Sequence, residues 1–271
     1  MDSIPNSGEV KKSQLTEPLV TFYKAYPDSL PAMSADRSAL GTIPAQAYQY
    51  CEALTTASAF GWYAFPAATI TLYFDGTDIY RMEEDSRVRV TTEQLSGMDE
   101  WWNNHCPEHL IDKAPPFLTS LGIPGYLQVW SGLLVKSRKN WSTLIRPIAN
   151  VATSNQYFCF EGIVETDQYC PAPLFVNLKL QATHTPIVLS STDPLFQVQP
   201  IHRECYSIAN HQTASHHNIA THSGDNAGMS ASNWLSYSNT VRDINPATDM
   251  HKTGQYATSS RKRKKQKELA S

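Results

Sequence analysis

The stretch LFVNLKLQA at 174–182 alternates without a break: Phe175, Asn177, Lys179 and Gln181 fall on one side, Val176, Leu178 and Leu180 on the other. Successive side chains of an extended chain point to opposite faces, so a period of two describes a strand with one polar face and one face to bury. An antiparallel sheet over a core reads this way, whereas a parallel sheet covered on both sides reads as a continuous apolar run.

Working outward, runs of strand length rich in aromatic and β-branched residues recur on both sides. Downstream and upstream of 174–182 lie YLQVWSGLLVKS (126–137), STLIRPI (142–148), YFCFEGIVET (157–166), PIVL (186–189) and PLFQVQPI (194–201). Earlier still come GWYAF (61–65), TITLYF (69–74), DIYRM (78–82) and RVRVT (87–91), punctuated by Pro66, Asp75-Gly76 and Glu84-Asp85. The turn residues Asp75-Gly76-Thr77 predict a hairpin between 69–74 and 78–82. One segment differs: MDEWWNNH (98–105) has Asp99 and Glu100 suited to a first helical turn and Trp101 and Trp102 to bury, and Pro107 ends it. A second turn is expected from Glu108 to Lys113, before Pro115-Pro116. The fold class is therefore mostly β (α+β), an antiparallel sandwich or barrel-like domain with one or two short helices.

The chain has 271 residues, 41% apolar and 17% charged, which excludes collagen, coiled coil and a wholly disordered chain. Residues 1–20 are polar and aperiodic and are expected to form a mobile arm, 21–206 a single β-rich domain, and 207–271 a largely disordered tail. Within that tail Trp234, Leu235 and Tyr237 are candidates for a short anchor on the body. The longest nearly apolar stretch, Ala59 to Ile70, contains Pro66 and is shorter than the roughly 20 residues of a membrane span. MDSIPNSGEVKKSQ lacks the apolar core of a secretory signal, so a cytoplasmic location and five reduced cysteines are expected.

The net charge of −3 conceals an asymmetry. Arg261 to Ser271 carries six cations and one anion, a sum of +5, which leaves −8 for the rest. Nucleic acid is therefore an expected partner only through the basic tail, and a solvated terminus is the plainer reading.

No Gly-x-Gly-x-x-Gly, phosphate loop, His-Glu-x-x-His or Gly-x-Ser-x-Gly element is present, and no cofactor is identified. His105 and His109 have the spacing of a helical metal pair, but Pro107 separates them, and His211, His216, His217 and His222 sit in the aperiodic tail; neither set is assigned a metal. In FEGIVETDQY a single strand over 157–166 would project Glu161 and Glu165 from one face, with Asp167 just beyond. Paired carboxylates serve acid/base work or hold magnesium; equally, they pair with Lys136, Arg138 or Arg146 from neighbouring strands. Trp130, Trp141, Arg146, Asn177, Lys179, Gln197 and Gln199 offer aromatic walls with a few polar groups, the make-up of a small-ligand pocket or of a core.

Several of these segments resemble a bacterial family of proteins of unknown function over roughly residues 45 to 206. The similarity is carried by Gly61-Trp62 with Phe65-Pro66, by Trp141, Arg146 and Asn150 within 131–150, by the Val-Glu-Thr-Asp turn at Val164 to Asp167, and by Phe-Gln-Val-Gln-Pro at 196–200. It implies kinship without an activity. The chain is also similar, more distantly, to dUTPase-like β-clip enzymes, in the order Ser131-Gly132-Leu133, Gly162 to Asp167, and Phe196-Gln197-Val198. That resemblance implies Glu165 as water-orienting base and Ser131 as a phosphate contact, although Trp130 stands where those enzymes have Arg and Glu165 where they have Asp.

The functional expectation is a small-organic-ligand-binding β domain, acting as a binder or as an accessory or tailoring enzyme. Its pocket is built from Trp130, Trp141, Arg146 and Asn177, with Glu165 and Asp167 as the candidate catalytic carboxylates at its mouth. The alternatives are a Mg-dependent nucleotide hydrolase of the β-clip type and a non-enzymatic interaction protein acting through the basic tail.

Overall fold

A computed structural model describes residues 17–84, 86–152, 155–206, 230–238 and 255–270. Its strands are β1 (Val20–Lys24), β2 (Met33–Ser34), β3 (Trp62–Ala64), β4 (Ile70–Phe74), β5 (Ile79–Met82), β6 (Arg87–Arg89), β7 (Thr92–Glu93) and β8 (Leu118–Ser120). They continue with β9 (Tyr126–Ser137), β10 (Trp141–Arg146), β11 (Tyr157–Cys159), β12 (Gly162–Val164), β13 (Ala172–Leu180), β14 (Pro186–Leu189) and β15 (Phe196–His202). The helices of the body are α1 (Ala45–Tyr50), α2 (Glu52–Ser58) and α3 (Met98–His105), followed by two downstream helices, Ala231–Ser238 and Gln255–Ala270.

All strand pairings are antiparallel, in three sheets. The first runs β11-β13-β9-β8-β7 with β1 also on β9; the second β12-β10-β15-β3-β2; the third β14-β4-β5-β6. The mostly β reading of the sequence is thus realised. In β13, Val176, Leu178 and Leu180 are buried while Asn177 and Lys179 are exposed, as the alternation requires. The hairpin forms too: Asp75 accepts the Thr77 and Asp78 N–H groups and turns β4 into β5. Among the described residues no helix is long and apolar enough to cross a membrane.

β9 organises the first sheet. Its edge pairs with β8 before Gly132 and with β1 after it, while its other edge carries β13. Gly132 has φ +75, and its carbonyl accepts the N–H groups of both Ala25 and Tyr26. A Cβ there would lie 2.6 Å from that of Ser29, so both conformation and space call for glycine. One apolar core joins all three sheets: Leu127, Val129 and Trp130 from the first, Ile145, Phe196 and Val198 from the second, Ile70, Leu72 and Ile187 from the third. Each such side chain contributes about 1.5–3 kcal/mol by leaving water.

Two expectations are corrected. Residues 157–166 are not one strand: Tyr157–Cys159 pairs with β13 in the first sheet and Gly162–Val164 with β10 in the second, so the chain changes sheets at 160–161. The anchor candidates Trp234, Leu235 and Tyr237 lie in helix Ala231–Ser238, where Trp234 and Tyr237 meet edge to face, Trp234 is half-buried and Leu235 and Tyr237 are exposed. Residues 255–270, placed by composition in a disordered tail, are helical, whereas 1–16, 207–229 and 239–254 lie outside the described residues.

Candidate functional site

The residues singled out in the sequence separate into a core position and two surface regions. Trp130 has no solvent exposure, and its indole N–H donates to the Leu133 carbonyl at 3.0 Å, so it is a core side chain with no face for a ligand. Ser131 is likewise buried, its hydroxyl donating to the Leu174 carbonyl at 2.9 Å. Gln197 and Gln199 are buried as well.

The first region is a knot of charge beside Trp141. Arg203 pairs with Asp167 and lies 3.5 Å from Glu165. The Asn140 N–H also donates to Asp167 at 2.9 Å. Burial raises the Asp167 carboxyl, but the Asn140 N–H and the Arg203 guanidinium outweigh it and hold the group below the ordinary carboxylate range. Asp167 is therefore ionised and engaged, with its side chain 3% exposed, while Glu165 keeps about half its surface in water. Trp141 meets His202 edge to face at 5.2 Å. The partner of Glu165 and Asp167 is Arg203, which sequence reasoning missed: it comes from the turn after β15, distant in the chain.

The second region lies where the chain changes sheets. Glu161 pairs with Arg146 at 3.4 Å, one of the structural pairings anticipated for it, and Arg146 Nε is buried with no hydrogen-bond partner among the described residues. Because the sheet change intervenes, Glu161 and Glu165 serve different arginines instead of sharing a strand face. Two hollows open at this crossing. The smaller, about 210 Å³, is walled by Phe160, Phe175 and Tyr169, with Glu161 and Asn177 at its polar side. There Gln128 donates its amide to Asn177 at 3.1 Å.

The larger, about 460 Å³, lies against the 147–152 segment that follows Arg146. Ile148, Val151, Pro194 and Leu195 supply apolar walls, and Tyr157, Cys159, Thr192 and Asp193 the polar groups. Burial, aided by the nearby Cys159 and Asp193, pushes the Tyr157 phenol up. Burial, with the Glu161 charge next, raises the Cys159 thiol to about 12, so it is a neutral lining group and not a nucleophile.

This hollow has a firm frame. Gln197 accepts the Ala149 N–H at 2.9 Å and donates to the Ser58 and Phe60 carbonyls at 3.0 and 2.8 Å. Asn150, held at φ +61, donates to the Leu54 carbonyl and the Ser58 hydroxyl, and its own carbonyl accepts from Thr42. On the opposite lip Leu40 also sits at positive φ with its apolar side chain about half exposed. Non-glycine residues in this conformation cost of order 1 kcal/mol, least for Asn, whose short amide tolerates it. Of the frame, Gln197 and Asn150 stand out in the sequence; the lining residues Tyr157, Asp193 and Leu40 do not.

His105 stacks on Trp101 at 4.6 Å and bonds the Trp101 carbonyl through Nδ1, a local helical contact; the tail histidines 211, 216, 217 and 222 lie outside the described residues.

No family model matches the chain, and no curated protein does. Among solved structures it is similar to a dUTPase of Staphylococcus bacteriophage 80alpha bound to dUpNHpp, at 7% identity and TM-score 0.35 over 68% of this chain and 89% of that one. A dUTPase from phage phi11 of S. aureus gives 7% identity and TM-score 0.35 over 74% of this chain and 99% of that one.

Proposed function

We propose that this β domain binds a small organic molecule in the hollow beside residues 147–152. The observation that carries the reading is a mostly apolar cavity of about 460 Å³ into which a few polar groups converge, the usual make-up and size of a ligand site. Its chemistry favours a ligand with an apolar body, packed on Ile148, Val151 and Leu195, and a hydrogen-bond-donating or cationic end at Asp193. Arg146 belongs to the site as a positioning residue, since its pair with Glu161 fixes the crossing between the two hollows. Asn177 would contact a ligand that reaches the smaller one. Trp130 has no part in it. The nucleotide-hydrolase alternative rests on Glu165, whose half-exposed carboxylate stands beside Arg203; Asp167, already engaged, is structural in that reading too.

Native mass spectrometry of the gently purified chain tests this. An adduct is expected on the wild type, absent in Ala152→Trp, which fills the exposed lip without touching the core, and bound at least about tenfold more weakly in Asp193→Asn. An adduct that survives Ala152→Trp, or a bare protein that also takes up no small apolar dye, overturns the proposal. Mg²⁺-dependent pyrophosphate release from deoxynucleoside triphosphates, lost in Glu165→Gln, would put the hydrolase in its place.

A further inference from the structure

The basic run at the C-terminal end is sorted by its helix into two faces. Ala257, Arg261 and Lys264, spaced i, i+4, i+7, turn toward the body, and Ala257 is buried there. Both cations reach Glu52 of α2, Arg261 at 3.0 Å and Lys264 at 2.6 Å, where Arg37 already pairs at 2.9 Å. Arg261 also donates to the carbonyls of Tyr48 and Gln49 at the end of α1, and Lys264 to the Thr56 hydroxyl. The helix is therefore seated in a definite place by a buried carboxylate.

The other face is left over. Lys262, Arg263 and Lys267 point away from Glu52, Lys265 lies beside the basin one turn after Arg261, and all four are exposed and form no ion pair among the described residues. Between this helix and α1 and α2 opens a basin of about 750 Å³ in which Arg37, Arg261, Lys264 and Lys265 face the single carboxylate of Glu52, four cations against one anion. Tyr48 lines the same basin with 44% of its surface exposed, and Tyr50 and Tyr256 are exposed nearby in the chain at 43% and 52%.

We propose that the seated C-terminal helix and the basin beside it form a binding surface for single-stranded nucleic acid. Phosphates are taken by the outward cations, and unpaired bases stack on the exposed tyrosines, above all Tyr48. A duplex keeps its base faces to itself and has no use for the tyrosines. An anionic membrane is disfavoured, because Thr258, Ser259, Lys262, Arg263, Lys265, Gln266 and Lys267 give the helix no apolar side to insert. The −8 carried by the remaining 260 residues, obtained as −3 minus +5, keeps such binding local to this surface and sensitive to salt.

Fluorescence anisotropy of a labelled single strand of about 20 nucleotides with the full chain tests the proposal. Four phosphate contacts predict an affinity that falls about 50-fold between 50 and 200 mM salt. Joint Lys262→Gln, Arg263→Gln, Lys265→Gln and Lys267→Gln substitution, at exposed side chains with no ion pair among the described residues, should leave the melting curve unchanged and weaken binding at least tenfold. Tyr48→Ala should weaken it about fivefold with the salt slope unchanged. A chain ending at Met250 must lose binding as well. Undiminished binding by the fourfold variant, equal affinity for duplex and single strand with no effect of Tyr48→Ala, or a preference for phosphatidylserine vesicles overturns the proposal.

Discussion

Gln197 has no exposed surface and uses its whole amide, accepting from Ala149 and donating to Ser58 and Phe60. Leucine keeps its volume but strands one N–H and two carbonyls, each unmade bond costing about 1–3 kcal/mol. Gln197→Leu is therefore expected to lose about 3 kcal/mol, read as a lower urea midpoint at unchanged slope, and to loosen the 147–152 segment with it. The alternation Phe196, Gln197, Val198, Gln199 reads as a half-exposed strand, yet all four are buried, because the end of α2 and the 147–152 segment close over the face that carries Gln197. Period two reports which residues share a face and not whether that face is covered. Trp130 misleads for the same reason: an aromatic on a strand has the same one-dimensional pattern whether it walls a pocket or fills a core. Where only one side of the sheet is packed, as at Asn177 and Lys179, the pattern was read correctly.

At the scale of elements, what was legible is what local chemistry decides. The Asp75 turn, the start of α3, the extent of β9 and the two faces of β13 follow from turn formers, acidic first-turn residues and alternation. A change of sheet within 157–166 leaves no such trace, since both halves remain extended, and so Glu161 and Glu165 were given a common face. The C-terminal helix was illegible because it has no apolar stripe; it is held by ion pairs to a residue about 210 positions earlier. That dependence has a pH signature. Burial raises the Glu52 carboxyl, but Arg37, Lys264 and Arg261 outweigh it and hold the group at about 2 against an ordinary 4.5. A carboxylate depressed on folding contributes fully above its unfolded value and loses that contribution as pH falls through the folded one. The protection of amides along 255–267, taken relative to the intrinsic exchange rate at each pH, is thus expected to fall as pH drops from 4.5 toward 2, while β9 stays protected. Glu52→Gln should show the fast exchange already at neutral pH.

At the scale of the molecule, the strand-rich, antiparallel class came through from the sequence, and the sorting of strands among three sheets did not. Strand identity is local, but neighbours are chosen by how faces close over a shared core. Each sheet draws on both ends of the body: β13 lies between β11 and β9, β15 between β10 and β3, and β14 on the edge of β4. A chain ending at residue 185 would keep most strands yet lack β14 and β15. It is expected to show no cooperative thermal transition, a result read directly by calorimetry. The same interleaving sets an order of events during synthesis. Residues 20–146 emerge from the ribosome carrying most of the apolar side chains of the core, but β3 and β10 have nothing between them until 196–202 follow. The nascent body must wait with its strand edges open, which makes this a protein whose yield depends on what shields it before its last strand arrives.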